Sequence, residues 1–247
     1  MSFRSAATLS LQGDCPGQED HALVREEKGI FVLADGFGGP QSGARASREA
    51  CEALLGFLVK EAGDMDATLP FEIRSYFSLA GNVLFNGLVH ANRKVNALNR
   101  GKNVHDKGGA SVIAGYLDEG LLALANVGSC SGWIFRKGRA AELVTPRSYA
   151  RLRDPVSRES APWRQVPLMA LGTSGDLEPE IVETRVENGD WILLQTSPVA
   201  PEALQRLEQL QARSPELQGE PVLQALEEEV TAWGRLSRNS SYVLVFI

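Results

Sequence analysis

Residues 29–39, GIFVLADGFGG, constrain the fold most because they place an acidic side chain at the end of a buried strand. The apolar run of residues 30–33 leads into Ala34, Asp35 and Gly36, which predicts a short core strand ending in a sharp turn. A carboxylate fixed there can bridge two divalent cations, and the glycine lets a backbone carbonyl reach the same metal. A plain Asp-Gly hairpin turn is the alternative interpretation of the same residues. The stretch alone therefore leaves a metal site and a simple turn both open.

Length and charge bound the class of protein. The chain has 247 residues, of which 43% are hydrophobic and 23% are charged, enough for a large core within one domain. Its formal charge of -6 argues against a nucleic-acid partner, because proteins that bind nucleic acids normally carry a basic face. Neither a signal-type apolar stretch nor a membrane-spanning run is present in the sequence. We therefore expect a cytoplasmic protein with neither a nucleic acid nor a membrane as its partner.

The three cysteines support the same compartment. Cys15, Cys51 and Cys130 form no CxxC pair, and their odd number leaves one thiol over. A disulfide framework and a zinc site are both disfavoured by this spacing. Reduced thiols fit the cytoplasm.

Hydrophobic periodicity predicts strands in runs and helices in pairs, which indicates two sheets covered by helices in one α+β domain. An irregular segment is expected at residues 145–172. Strands are predicted at residues 7–11, 21–25 and 30–34, in an antiparallel meander of four strands over 111–144, and at 181–185, 191–195 and 241–247; helices are predicted at 43–62, 72–98, 201–212 and 221–234.

Seven short motifs in order resemble the metal-dependent Ser/Thr protein phosphatases of type 2C, the PPM family. The resemblance covers nearly the whole chain and implies a single PPM-type domain over residues 1–247. It implies a four-layer αββα sandwich of two antiparallel sheets flanked by helix pairs, with the metal cleft at one edge between the sheets and a flap at about residues 146–166. The motifs are QED (18–20), ADGFGG (34–39), GGAS (108–111), NVGSCSGWIFRKG (126–138), LMALG (168–172), NGDWILLQTSP (188–198) and RNSSYVLV (238–245).

The resemblance also implies a chemistry. In the family, two manganese or magnesium ions hold a water that attacks the phosphorus of phosphoserine or phosphothreonine, and the protein supplies the carboxylates. The bridging aspartate and the carbonyl-donating glycine of the family match Asp35 and Gly36. The acidic pair that orders metal-bound waters matches Glu19 and Asp20.

Four family positions carry other residues in this chain. Cys15 replaces the arginine that grips the substrate phosphate, and Ser129 replaces the aspartate of the accessory metal. Pro198 and Arg238 replace two aspartates that, with the bridging aspartate, hold the first metal. We therefore expect no confident catalytic residue and only a vestigial metal site on Asp35 and Gly36. The expected cofactor is none, or at most a single weakly bound magnesium or manganese ion.

Arg238 reverses a charge, since it stands where the family has a carboxylate. The interaction energy of two unit charges about 4 Å apart, at an effective dielectric of about 20, is about 4 kcal/mol. We expect Arg238 to pair with Asp35 or Asp20 in place of a metal. The alternative is a solvated arginine before an edge strand. Four other residues near these motifs match no ligand position and are interpreted as groups at the protein surface: Glu183, Asp190, Ser197 and Glu202.

The flap region is rich in arginine. Arg147, Arg151 and Arg153 are candidate phosphate-binding residues, because a basic flap beside the cleft can capture a phosphorylated partner electrostatically. A solvated basic loop is the alternative interpretation.

Two functions of different classes follow. The favoured one is a catalytically impaired phosphatase-like protein, a pseudophosphatase, that binds a protein partner in Ser/Thr kinase signalling; that partner is a phosphoprotein or a Ser/Thr kinase. On this interpretation the chain is not an active enzyme. The alternative is a weak metal-dependent protein-serine/threonine phosphatase that uses a reduced metal site.

Overall fold

The computed structural model describes residues 3–61, 73–149, 152, 166–232 and 236–247. Most of the predicted flap, including Arg151 and Arg153, lies outside these residues. So does residue 72, the first residue of the helix predicted at 72–98. No helix in the described part of the chain combines the length and apolar character that a membrane crossing requires.

In the described residues, ten strands form two five-stranded antiparallel sheets and four α-helices accompany them, which confirms the predicted α+β sandwich. Sheet A has the order β1-β10-β9-β6-β7, and sheet B has the order β2-β3-β4-β5-β8. The strands are β1 Ser5–Leu11, β2 Asp20–Arg25, β3 Ile30–Phe37, β4 Gly109–Asp118, β5 Leu121–Val127, β6 Ser131–Arg136, β7 Arg139–Val144, β8 Glu180–Arg185, β9 Trp191–Gln195 and β10 Ser240–Phe246. The helices are α1 Pro40–Glu61, α2 Leu79–Leu98, α3 Pro201–Arg213 and α4 Glu220–Ala232.

Both faces of each sheet are buried, which explains why the central strands read as continuous apolar runs. In β3, Phe31 and Leu33 pack between the two sheets, whereas Ile30, Val32 and Ala34 pack in the cluster formed with α1 and α2. Helices α3 and α4 cover the outer face of sheet A. That third cluster contains Trp133, Phe135, Trp191, Leu207, Leu226 and Leu244. Three apolar clusters thus separate four layers in the order helix, sheet, sheet, helix. That the chain forms one domain stays a prediction.

The predicted four-strand meander over residues 111–144 is wrong in one respect. Strands β4 and β5 pair in sheet B, but β6 and β7 pair in sheet A, so the chain crosses between sheets after Val127. Gly128 makes the crossing with a φ of 105°, and a Cβ there would lie 2.4 Å from Ser111 Oγ. Glycine suits both a hairpin turn and this crossing, so the sequence GSCSG does not distinguish between the two.

Two boundaries also differ from the prediction. Strand β3 continues through Asp35 and Gly36, and the turn falls at Gly38 and Gly39, whose φ angles are 111° and 94°. Helix α2 begins only at Leu79, because Ser78 caps it: Ser78 Oγ accepts a hydrogen bond from the Gly81 amide at 3.1 Å.

Asp190 and Glu183, interpreted from the sequence as surface charge, are structural instead. Glu183 accepts a hydrogen bond from the Ser78 amide at 3.0 Å and thereby holds the start of α2. Asp190 is buried at the start of β9, where it accepts hydrogen bonds from Arg136 Nε at 2.9 Å and from the Glu187 amide at 2.8 Å. A buried carboxylate needs such partners.

We predict that Asp190→Ala lowers the free energy of unfolding by about 2–3 kcal/mol, because it leaves the Arg136 guanidinium and the Glu187 amide without their acceptor. Urea denaturation monitored by circular dichroism measures this loss. Glu187→Gln is the matched control, since exposed Glu187 also contacts Arg136, at 3.7 Å. It should cost less than about 1 kcal/mol. Equal losses in the two variants would contradict the assignment.

Candidate functional site

A row of polar side chains crosses sheet B where β2, β3 and β4 lie side by side. Asp20 pairs with Asp35 in the β2–β3 register, and Asp35 pairs with Ser111 in the β3–β4 register. Residues directly opposite each other on antiparallel strands have neighbouring Cβ atoms on one face. The two carboxylates, both buried, are therefore brought together by strand register alone.

Gly36 lies where the backbone of α1 approaches β3 most closely. A Cβ on Gly36 would lie 2.3 Å from the Gly43 carbonyl oxygen and 2.6 Å from the Glu19 carbonyl oxygen. The Gly36 amide also donates to that Glu19 carbonyl at 3.1 Å. Only glycine fits this position, so the structure itself requires the glycine that the motif contains.

Asn239 holds the segment that carries Glu19 and Asp20. Its Oδ1 accepts a hydrogen bond from the Glu19 amide at 3.0 Å, and its Nδ2 donates to the carbonyls of Gln12 at 2.8 Å and Gly17 at 3.1 Å. One side chain thus fixes the loop before β2 against the loop before β10. The second loop contains Arg238.

Arg238 extends from this loop to the acids. Its Nη2 lies 3.4 Å from Asp35 Oδ2, which is the ion pair expected from the sequence. The Arg238 side chain is 33% exposed, whereas that of Asp35 is 11% exposed. At 3.4 Å this is a long contact rather than a tight bidentate pair.

The acids are short of positive charge even with Arg238 beside them. Burial, followed by the charge of Asp20, raises the pKa of Asp35 to about 8, although Arg238 opposes the shift. Burial also raises the pKa of Asp20, against a hydrogen bond that Thr196 Oγ1 donates to Asp20 Oδ2 at 2.8 Å. Burial and the charge of Asp20 raise the pKa of Glu19. Asp20 Oδ1 has no hydrogen-bond partner among the described residues.

An open cleft of about 390 Å³ lies in front of the row. Its polar wall consists of Asp35, Ser111, Ser129, Thr173 and Arg238, and its other wall is apolar. Ser129 lies just after the crossing between the sheets, and its Oγ is 3.1 Å from Ser111 Oγ. The apolar wall contains Phe37, Val166, Pro167, Leu168, Met169 and Ala170.

The structure gives the surroundings of three further residues at positions that the family uses for phosphate or metal. Cys15 Sγ contacts the Ser237 carbonyl oxygen at 3.9 Å, and Cys15 does not line the cleft. Pro198 is exposed after β9. Arg147 Nη1 donates to the Glu178 carbonyl at 2.9 Å. The proposal that Arg147, Arg151 and Arg153 bind phosphate stays a prediction, since the last two lie outside the described residues.

Sequence reasoning missed three residues that organise the cleft. Thr196 holds Asp20, Ser111 contacts Ser129, and Ser197 Oγ donates to the Asn239 carbonyl at 3.0 Å. Ser197 was interpreted as a surface group, but it is buried. A small hydroxyl has no distinctive sequence signal, because Thr and Ser occur in strands and turns for many reasons.

Comparison with solved structures identifies this architecture, although no protein-family model and no curated protein matches the chain. The PPM Ser-Thr phosphatase MsPP of Mycobacterium smegmatis, solved with cacodylate, is 21% identical, with a TM-score of 0.74 and 100% of both chains covered. The Mycobacterium tuberculosis phosphatase PstP/Ppp is 19% identical, with a TM-score of 0.75, over 100% of this chain and 99% of that one. This chain has the fold of the PPM Ser/Thr phosphatases. It is therefore a phosphatase-like domain in architecture.

A third structure corrects the cofactor expectation. The catalytic domain of PstP in complex with two manganese ions is 21% identical, with a TM-score of 0.69 and 98% of both chains covered. The expectation of no cofactor, or of one weakly bound magnesium or manganese ion, is contradicted by this comparison, because a protein of the same fold is solved with two manganese ions. The expectation counted the carboxylates that are missing and overlooked the charge deficit of those retained.

The residues present fit a cation in part. The unpartnered Asp20 Oδ1 and the raised pKa values of three acids mark a site where positive charge is stabilising. In the described part of the chain, however, no group of three or more His, Cys, Asp or Glu side chains is arranged as a complete metal site. We give more weight to the acids and the Gly36 carbonyl, because main-chain carbonyls and waters complete the coordination of hard cations.

The pKa of Asp35 predicts a pH-dependent stability in the presence of a chelator. Its folded-state pKa, about 8, lies above that of the unfolded chain, so ionisation favours unfolding and stability falls as pH rises between about 4 and 8. Asp35→Asn removes this penalty, which is on the order of a few kcal/mol. Melting temperatures in EDTA should show the variant gaining on the wild type from pH 5 to pH 8.

Exposed Asp176→Asn serves as the control for that series, and its melting temperature should follow the wild type. A constant difference between Asp35→Asn and the wild type across the range would show that Asp35 is already ionised at acidic pH.

Proposed function

We propose that the chain is a catalytically impaired PPM-type phosphatase-like protein that binds a phosphorylated protein at the cleft beside Asp35. Its partner is a phosphoprotein or a kinase of a Ser/Thr kinase pathway. The site would recognise the phosphate group and release it unchanged.

One observation carries this proposal: the guanidinium of Arg238 lines the cleft 3.4 Å from Asp35. The resemblance assigns a metal-binding aspartate to that position. A guanidinium cannot coordinate a metal, but its donors match a phosphate group in a planar, bidentate geometry. Replacing a carboxylate by Arg238 therefore removes a metal ligand and adds a phosphate ligand.

The metal that the comparison indicates has a place in this proposal. Asp35 and the Gly36 carbonyl would hold it, and Glu19 and Asp20 would order its waters. When bound, it would supply positive charge against a phosphate group. Asn239 and Thr196 would keep the acids oriented, and Ser129 offers a hydroxyl to the ligand where the family has a carboxylate.

The apolar wall of the cleft suits a protein ligand. Val166 and Leu168 are 49% and 38% exposed, beside the polar wall that carries Arg238. Exposed apolar side chains next to a charged group are typical of surfaces that bind peptides. A phosphoserine or phosphothreonine residue would place its phosphate at Arg238 and its neighbours on this wall.

A weak metal-dependent phosphatase is the alternative, and the charge deficit of the acids favours it. If Asp35 and the Gly36 carbonyl hold metal tightly enough, a bound water could still be activated. The two functions differ in whether turnover depends on Asp35.

Assays with manganese distinguish the two functions. With saturating manganese, the wild type should hydrolyse p-nitrophenyl phosphate and a phosphothreonine peptide at background rates, and Asp35→Asn should leave those rates unchanged. The same peptide should bind the wild type in fluorescence anisotropy and lose at least about tenfold in affinity in Arg238→Gln. Turnover that disappears in Asp35→Asn would establish the alternative.

Restoring the family's ligands tests the assignment of positions 198 and 238. The double variant Pro198→Asp, Arg238→Asp should bind manganese at least about a hundredfold more tightly than the wild type in calorimetry, because a repulsive charge of about 4 kcal/mol is removed and two ligands are added. Arg238→Gln is the matched control, which removes the charge without adding a ligand and should gain less. No gain in the double variant would show that these positions do not face the metal.

A further inference from the structure

A second pocket lies beside the cleft, at the C-terminal end of α2. It encloses about 530 Å³ and shares Phe37 and Thr173 with the cleft. Its rim is the segment after α2, a turn at Gly101 with a φ of 74° followed by residues 102–107. The two cavities are thus neighbours along one surface.

Three cations line this pocket, which we call the basic pocket: Arg100, Lys102 and Lys107. Within the described ranges, their side chains form no hydrogen bond or ion pair. No acidic residue lines the pocket in those ranges, although the chain as a whole carries a formal charge of -6. Positive charge concentrated in a concavity of an acidic protein selects for an anion.

The floor of the basic pocket is rigid before any ligand arrives. Asn99 is buried; its Nδ2 donates to the carbonyls of Gly108 at 2.7 Å and Gly172 at 3.0 Å, and its Oδ1 accepts from the Gly108 amide at 3.1 Å. Asn92 Oδ1 accepts from the Gly172 amide at 2.9 Å. These bonds join the two loops that form the floor, so binding would cost little ordering of the backbone.

The rim favours a peptide over a free ion. Val104 is 78% exposed next to the three cations, and Phe37 lines both the basic pocket and the cleft. A small inorganic anion gains no favourable contact from an apolar rim, whereas a peptide side chain packs against it. An extended peptide advances about 3.3–3.6 Å per residue, so a few residues suffice to pass from one cavity to the next.

We infer that the basic pocket docks a second phosphorylated residue of the same partner segment whose first phosphate lies in the cleft. The inference rests on the proposed phosphoprotein binding and adds what the partner must carry: two phosphorylated side chains a few residues apart. The phosphate would accept hydrogen bonds from Arg100, Lys102 and Lys107, and Val104 would contact the residue between the two phosphates.

Fluorescence anisotropy with labelled peptides tests the inference on the full chain. Peptides carrying two phosphothreonines about two to five residues apart are compared with the same peptides carrying one. The wild type should prefer the best doubly phosphorylated peptide by at least about tenfold. The triple variant Arg100→Gln, Lys102→Gln, Lys107→Gln should lose that preference and keep its affinity for the singly phosphorylated peptide.

A second triple variant controls for net charge. Arg139→Gln, Arg206→Gln, Arg213→Gln removes the same charge from exposed positions on β7 and α3, in the layers on the other side of the sandwich. It should keep the preference at the same ionic strength. A preference that survives in the basic-pocket variant, or that falls equally in both triple variants, would overturn the inference.

Amide NMR separates failure of the inference from failure of the proposed function. Amides of Gly101 and Gly172 report on the basic pocket, and those of Gly36 and Ser129 report on the cleft. Shifts in the basic pocket without shifts in the cleft would contradict the proposed function and show that the peptide binds the basic pocket alone. Shifts in the cleft alone would remove the inference. Inorganic phosphate that shifts the basic pocket as strongly as the peptide would also overturn it, by showing an anion site without peptide docking.

Discussion

The burial of two carboxylates side by side across one strand pair is the constraint on which this end of the molecule depends. The β2–β3 register places Asp20 opposite Asp35, and the sandwich removes both from water. Charges buried together must gain a proton, a counter-ion or hydrogen bonds. Thr196 supplies one hydrogen bond and Arg238 one long ion pair, and the acids remain short of positive charge. That deficit makes the stability of the fold depend on the protonation of the acids.

The layers could be predicted from the sequence because both faces of each sheet are buried. Runs such as residues 30–34 and 121–127 read as core strands, and the paired helices follow from their periodicity. The change of sheet after Val127 could not be predicted, since Gly128 is equally suited to a hairpin and to a crossing. The start of α2 was also missed, because it depends on Glu183, which is more than a hundred residues away from Ser78 in the chain.

The cleft could be predicted only where a residue belongs to a motif. Asp35, Gly36 and the ion pair of Arg238 with Asp35 followed from the resemblance and from charge. The hydroxyls of Thr196, Ser111 and Ser197 did not, because their roles come from tertiary contacts with Asp20, Ser129 and the Asn239 carbonyl, respectively. The cofactor was mispredicted for a related reason: a count of lost ligands says nothing about the field that the remaining acids create.

The loop before β10 explains how a charge reversal at position 238 is compatible with the fold. Neighbours of Arg238 hold the backbone of this loop: Asn239 ties it to Gln12, Gly17 and Glu19, and Gly13 packs where a Cβ would lie 2.5 Å from the Arg238 carbonyl oxygen. The side chain at position 238 is therefore free to differ in charge while its backbone stays in place. When some residues shape a loop and a different residue of that loop faces the cleft, the ligand preference of the cleft can change without loss of the scaffold.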